Sequence, residues 1–84
     1  MKYQLSFTER AKKDIEHTSP SFYPRLLRAF ELISENPHVG KTLKGNLRGQ
    51  YSYRVGDHRI IYEILREKIL VIILKIGHRK EIYR

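Results

Sequence analysis

The segment YSYRVGDHRIIYEI, residues 51–64, constrains the fold more than any other part of the 84-residue chain. Apolar and polar residues alternate on both sides of Gly56-Asp57, which predicts two antiparallel strands joined by a two-residue type II′ turn. A one-residue shift would bury two arginines, so the apolar pattern itself fixes the register of the hairpin. One face of this hairpin then carries the apolar residues Tyr51, Tyr53, Val55, Ile60, Tyr62 and Ile64.

The opposite face of the hairpin has Arg54 directly across from Arg59, together with Ser52, Ile61 and Glu63. Two like charges in this position cost about 0.5 kcal/mol when nothing compensates them. A phosphate between the arginines would reverse the sign, because guanidinium groups bind its oxygens bidentately. The structural alternative is that Glu63 or Asp57 neutralises one of the two arginines.

The rest of the chain predicts helices before the hairpin and one strand after it. Residues 2–7 alternate as a strand, and Thr8 is a suitable N-cap for a short helix. A second helix is expected from about Ser19–Ser21 to Glu35, and strands are expected at 50–55, 58–65 and 69–76. The helix should bury one face, formed by Phe22, Leu26, Ala29, Phe30 and Ile33. The order β-α-α-β-β-β predicts an α+β fold, with a helical hairpin packed on a small antiparallel sheet and a single domain over residues 1–84.

The charge of the chain is concentrated in its second half. The formal net charge is +8, and residues 41–84 contain eleven basic and four acidic side chains. A basic half indicates a polyanionic partner, most often nucleic acid, although a solvated surface or an acidic protein partner is also compatible with it. A basic loop formed by Lys41, Lys44 and Arg48 lies in this half.

Other features of the composition exclude several classes of protein. The absence of cysteine excludes disulfides and thiolate metal sites. The N-terminus does not resemble a signal peptide, and the longest apolar run, 69–74, is too short to span a bilayer. We therefore expect a cytoplasmic protein that needs no cofactor.

The C-terminal segment GHRKEIYR adds chemistry to the face that carries the arginines. His78, Arg79 and Tyr83 should lie at the end of the last strand, within reach of Arg54 and Arg59. This set has no nucleophilic serine or cysteine and no carboxylate cluster for a catalytic metal. It can hold a phosphate and move protons, which suits RNA transesterification by the 2′-hydroxyl. His78 could act as the base, whereas Tyr83 could transfer a proton, stack on a base or simply pack.

Four segments in this order, YQLSFTERAKKDI, NPHVGKTLKG, YSYRVGDHRIIYEI and VIILKIGHRKEIY, resemble the RelE toxins within the wider RelE/ParE superfamily. The resemblance covers essentially the whole chain. It implies a toxin that enters the ribosomal A site and cleaves mRNA there by attack of the 2′-hydroxyl on the adjacent phosphorus. It also implies a cognate RelB-like antitoxin, with the toxin alone expected to be a monomer.

The resemblance also implies roles for individual residues. Arg59 and Arg79 match arginines that contact the scissile phosphate, Arg54 falls on a basic position, and Tyr83 matches a C-terminal tyrosine. Ser52 departs from the pattern, because one branch has a lysine there that is proposed as the general base. This departure leaves His78 and Tyr83 as candidates for the base.

Contacts with the RNA backbone, including ribosomal RNA, are expected from Lys41, Lys44, Arg48, Lys80 and Arg84.

Two alternatives to a nuclease remain open. One is a ParE-like toxin that inhibits DNA gyrase, because one fold can carry unrelated functions. The other is an inactive homologue that only binds its antitoxin.

Overall fold

The computed structural model describes residues 2–78 of the chain. Two helices, α1 (Glu9–Glu16) and α2 (Tyr23–Glu35), pack on a five-stranded sheet. Its strands are β1 (Gln4–Phe7), β2 (Lys41–Thr42), β3 (Tyr51–Val55), β4 (His58–Leu65) and β5 (Leu70–His78). Within these residues, no helix is long and apolar enough to cross a membrane.

The predicted α+β class and helical hairpin are confirmed, but the sheet is mixed and not wholly antiparallel. The strand order is β1-β5-β4-β3-β2, and β1 runs parallel to β5. The chain passes from β1 directly into the helices, so no strand adjacent in sequence pairs with β1. Instead, β1 forms the edge of the sheet beside β5, the last strand. The sequence pattern also missed β2, a two-residue strand in which Lys41 pairs with Ser52 and Thr42 with Tyr51.

The core lies between the helices and one face of the sheet. Helix α2 buries Leu26, Ala29, Phe30 and Ile33, as the helical spacing predicted. The helix begins at Tyr23 after a short 3-10 turn over Pro20–Phe22, so Pro24 falls in its first turn. The sheet contributes a second set of buried side chains, Val55, Ile60, Tyr62, Val71, Ile73 and Ile76.

The central hairpin has the predicted register. Arg54 lies opposite Arg59, and Val55 opposite His58 closes the turn. Gly56 has φ +60°, whereas Asp57 has no positive φ, as a type II′ turn requires. The turn and the apolar alternation therefore agree on one pairing.

Strand β5 contains a β-bulge that reverses its alternation. Ile61 lies opposite Lys75, but Tyr62 lies opposite Ile73, which leaves Leu74 as an extra residue. Regular alternation from Val71 and Ile73 would have pointed Lys75 into the core. The bulge instead places Ile76 in the core and turns Lys75 to the other side of the sheet.

Polar groups from the start of α1 hold this bulge in place. The Thr8 hydroxyl donates a hydrogen bond to the Leu74 carbonyl at 2.6 Å and accepts one from the Ala11 amide at 3.1 Å. The Thr8 amide donates to the Ile73 carbonyl at 3.1 Å. Beyond the bulge, the Asp14 carboxylate accepts from the Ile76 amide at 2.9 Å. Because β1 ends at Phe7, it no longer pairs with β5 beyond Ile73. The Thr8 and Asp14 groups therefore supply the hydrogen bonds to that edge of β5.

A buried tyrosine ties the segment after α2 to the sheet. The Tyr62 hydroxyl donates to the Pro37 carbonyl at 2.6 Å and accepts from the Gly40 amide at 3.0 Å. The side chain is fully buried, and this burial raises the pKa of Tyr62 to about 12. The tether fixes the point from which the basic loop departs.

Replacing Tyr62 with phenylalanine should therefore destabilise the protein. The Tyr62→Phe variant keeps the ring but leaves the Pro37 carbonyl and the Gly40 amide without their partner, at a cost of about 2 kcal/mol in the free energy of unfolding. Urea unfolding followed by circular dichroism measures the loss. Tyr53→Phe is the matched control, because the half-buried Tyr53 lies on the same face and its hydroxyl forms no hydrogen bond within residues 2–78. An equal effect of the two substitutions would contradict the tether.

Tyr62 should also make stability fall at alkaline pH. Its pKa rises from 10.0 to about 12 on folding, so its contribution is complete below pH 10 and is lost as the pH rises toward 12. A shift of this size corresponds to roughly 2–3 kcal/mol. The measurement is the free energy of unfolding from neutral to alkaline pH, in the wild type and in Tyr62→Phe. The wild type should lose more stability than the variant over this window, and parallel curves would contradict the assignment.

Candidate nucleic-acid interface

The side of the sheet away from the helices, here called the outer face, is the basic side of the structure. Among the described residues it carries four cations, Lys41, Arg54, Arg59 and Lys75, and one carboxylate, that of Glu63. Cross-strand pairing orders them into two rows. One row runs Arg54, Arg59, Gly77, and the other runs Lys41, Ser52, Ile61, Lys75.

Each of the two arginines is held by a hydrogen bond to another residue of the hairpin. Arg54 Nε donates to the Gly56 carbonyl at 3.0 Å, and Arg59 Nη1 donates to the Ser52 hydroxyl at 3.4 Å. In the part of the chain that the structure describes, neither guanidinium forms an ion pair with Asp57 or Glu63. The structural alternative, neutralisation by Asp57 or Glu63, is therefore wrong, and no carboxylate of the described residues compensates the like charges.

The centre of the outer face is buried, whereas its rim is exposed. Ser52 is 2% exposed and Ile61 0% exposed. Arg59 reaches over Ser52 through its hydrogen bond, while Arg54 is exposed at the rim. The cations therefore surround two side chains that solvent barely reaches, and an anion bound beside them would be less screened than on a fully hydrated surface.

His78 lies elsewhere than predicted. It pairs with His58 across the strands, and the two rings lie 6.1 Å apart on the side of the sheet that faces the helices. The His58 ring in turn packs on Phe22, with centroids 4.6 Å apart, so His58 serves the packing on the helix side of the sheet. The bulge at Leu74 causes this difference, because it moves every later side chain of β5 to the other face. The His78 ring and the Arg59 guanidinium are consequently on opposite sides of the sheet.

Four predicted site residues, Arg79, Lys80, Tyr83 and Arg84, lie outside the described residues. Their roles stay predictions.

The basic loop is exposed at all three of its predicted cations. Lys41 lies on the outer face opposite Ser52, and Lys44 and Arg48 flank a 3-10 turn over Gly45–Leu47. The Leu43 amide donates to the Gln50 carbonyl at 3.0 Å and closes the base of the loop. The loop therefore extends the basic surface beyond one edge of the outer face.

The sequence pattern missed Lys75 as a residue of this face. It occupies the middle of β5 opposite the buried Ile61, and it is itself only partly exposed. The available signal was a single lysine in the apolar run VIILKIG, which no strand buried on both faces would tolerate. No group of three or more metal-ligating side chains was found among residues 2–78.

Comparison with known proteins shows that the chain is similar to toxins. The family model described as "ParE toxin of type II toxin-antitoxin system, parDE" matches residues 5–83. Toxin RelG of Mycobacterium tuberculosis is 37% identical over 86 residues, covering 100% of this chain and 99% of that protein. The mRNA interferase toxin RelE of Escherichia coli K12 is 27% identical over 90 residues, covering 99% of this chain and 92% of that protein.

A solved structure shares the fold as well. The toxin–antitoxin complex RelBE2 from Mycobacterium tuberculosis contains a chain that superimposes with a TM-score of 0.86 at 34% identity. The match covers 94% of this chain and 100% of that chain.

The repulsion between Arg54 and Arg59 should be measurable as a loss of stability. Replacing Arg54 with glutamine is expected to raise the free energy of unfolding by about 0.5 kcal/mol at low salt, because it removes the cross-strand repulsion. The gain should vanish near 1 M salt, where the Debye length falls to about 3 Å. Urea titrations at the two salt concentrations test this.

Arg28→Gln is the control for this measurement. Arg28 pairs with Glu31 at 3.2 Å, so its loss should lower stability by about 0.3 kcal/mol at low salt. A destabilised Arg54→Gln variant at low salt would contradict the account of the pair.

Proposed function

The chain belongs to the RelE/ParE family of toxins of type II toxin–antitoxin systems, and we propose that it is a ribosome-dependent endonuclease that cleaves mRNA in the A site. The observation that carries the proposal is the Arg54–Arg59 pair, which faces outward and forms no ion pair with any carboxylate of residues 2–78. A relative over essentially the whole chain is named an mRNA interferase toxin, which supports this class of activity.

The chemistry we propose needs no nucleophile from the protein. The 2′-hydroxyl of the substrate attacks the adjacent phosphorus, the bond to the 5′-oxygen of the next nucleotide breaks, and a cyclic 2′,3′-phosphate remains. Arg54 and Arg59 would flank the reacting phosphate and stabilise the extra negative charge of the transition state. Such stabilisation acts most strongly where water is excluded, as at the buried centre between the cations.

The remaining steps involve the C-terminal residues. Arg79 would supply a third guanidinium to the phosphate, and Tyr83 would stack on a base or transfer a proton. His78 would have to turn from the helix side around the end of β5 to act as the base. Tyr83 is therefore the stronger of the two candidates for proton transfer.

The ribosome would supply the substrate and position it. Lys41, Lys44, Arg48, Lys80 and Arg84 are proposed to contact the backbone of ribosomal RNA or mRNA. Phosphate contacts of this kind set affinity and orientation, while the reading frame presented by the ribosome determines where the message is exposed.

The proposed antitoxin is RelB-like. The solved structure at 34% identity is a toxin–antitoxin complex, which supports a partner of the same kind for this chain. An acidic segment of the antitoxin would cover the outer face, because its cations lack carboxylate partners among the described residues. We propose that the toxin alone is a cytoplasmic monomer.

A second function, inhibition of DNA gyrase without cleavage, is favoured by one observation. The matching family model is that of the parDE toxins. This function would arrest replication and leave messages intact, so the two candidates differ in a single measurement.

The test is induction of the chain in susceptible cells, followed by mapping of mRNA 5′ ends against the reading frame. New ends within codons of translated messages only are expected. Arg59→Ala should reduce their yield by about 100-fold, the effect of removing one electrostatic contact to a transition state. Arg28→Ala, on the exposed face of α2, should cleave like the wild type. Growth arrest without new 5′ ends would contradict the nuclease and favour gyrase.

A further inference from the structure

We propose that Lys75 is a further cation of the RNA-cleaving site and binds the RNA backbone beside the phosphate held by Arg54 and Arg59. This inference rests on the proposed function, since it assigns a residue to that same site. It concerns a side chain that the sequence pattern placed in an apolar strand.

The bulge at Leu74 puts Lys75 on the outer face. Without the extra residue, Lys75 would share the side of Val71 and Ile73, within the core. β-Bulges are frequent next to active sites, where they redirect a side chain. Here the redirected side chain is a cation, and it arrives on the face that already carries two arginines.

Three hydrogen bonds fix this placement. The Leu74 and Ile73 carbonyls accept from Thr8, and the Ile76 amide donates to Asp14. The backbone on both sides of Lys75 is therefore anchored to α1. A side chain held on so constrained a backbone is suited to a binding site that requires fixed geometry.

Lys75 also has no carboxylate partner among the described residues. In the region covered by residues 2–78 it forms no ion pair, although Glu63 lies on the same face. Lysine is depleted in strands, and a partly buried ammonium without a carboxylate carries a desolvation cost. An anion from outside the chain would offset that cost.

The position of Lys75 relative to the arginines fits a nucleic-acid backbone. Ile61, its cross-strand partner, is two residues from Arg59 on β4, which corresponds to about 6.6 Å along the strand. Arg54 and Arg59 are fixed at the other row by the Gly56 carbonyl and the Ser52 hydroxyl. An RNA strand that crosses both rows would contact the two arginines with one phosphate and Lys75 with the neighbouring part of its backbone.

The experiment is single-turnover cleavage of mRNA in programmed ribosomes by the purified full chain, as a function of toxin concentration. Lys75→Met keeps an apolar stem suited to the strand and removes only the charge. We expect Lys75→Met to raise the toxin concentration that gives half-maximal cleavage by about tenfold or more, the usual effect of losing a hydrogen bond to a charged group. Lys75→Arg should stay within about threefold of the wild type.

Two controls separate a binding role from a structural one. Lys68→Met removes a charge from the exposed turn between β4 and β5 and should leave cleavage unchanged. The melting temperature of Lys75→Met should equal or exceed that of the wild type, because the variant relieves the desolvation of the ammonium.

The outcomes distinguish this inference from the function on which it rests. If the wild type cleaves and Lys75→Met cleaves equally well at every concentration, the Lys75 assignment is wrong and the nuclease stands. Unchanged cleavage with weakened binding of the antitoxin would likewise overturn it, in favour of an acidic protein contact. Equal losses in Lys75→Met and Lys75→Arg would show that charge is not what Lys75 contributes. A wild type that cuts no message would overturn both proposals.

Discussion

The hydroxyl group of Thr8 links the start of helix α1 to the bulge of strand β5, and the placement of the residues after the bulge depends on this link. It caps the first turn of α1 through the Ala11 amide and holds the bulged Leu74 carbonyl of β5. One side chain thereby marks the start of α1 and stabilises the bulge that decides which residues of β5 point toward the helices. The core position of Ile76 and the outward position of Lys75 both follow from this link.

The two faces of the sheet differ in what they contribute to the free energy of folding. Its helix side buries Ile60, Tyr62 and Ile73, each worth about 1.5–3 kcal/mol. Its outer side tolerates a repulsive arginine pair at a cost of about 0.5 kcal/mol. The core can therefore support an unfavourable charge arrangement, and the arrangement remains available to an anionic ligand.

The sequence predicted those features that depend on local patterns. Alternation around Gly56-Asp57 gave the hairpin register, and spacing of three and four gave the buried face of α2. The parallel pairing of β1 and the bulge in β5 could not be predicted this way, because they depend on Thr8 and Asp14, 66 and 62 residues away from their partners. The misplacement of His78 and the omission of Lys75 share this cause, since one extra residue exchanges the faces of all that follow.

The parallel pairing of β1 with β5 has a consequence for biosynthesis. The first strand has no neighbour in the sheet until the last strand exists, since Leu5 pairs with Val71 and Phe7 with Ile73. Closing so long a loop is slow compared with forming the helices or the central hairpin. The nascent chain therefore cannot complete its core until β5 has emerged from the ribosome. The bulge and the outward position of Lys75 arise in that same final step, so a partly synthesised chain has the arginine pair of the hairpin but an incomplete cationic face.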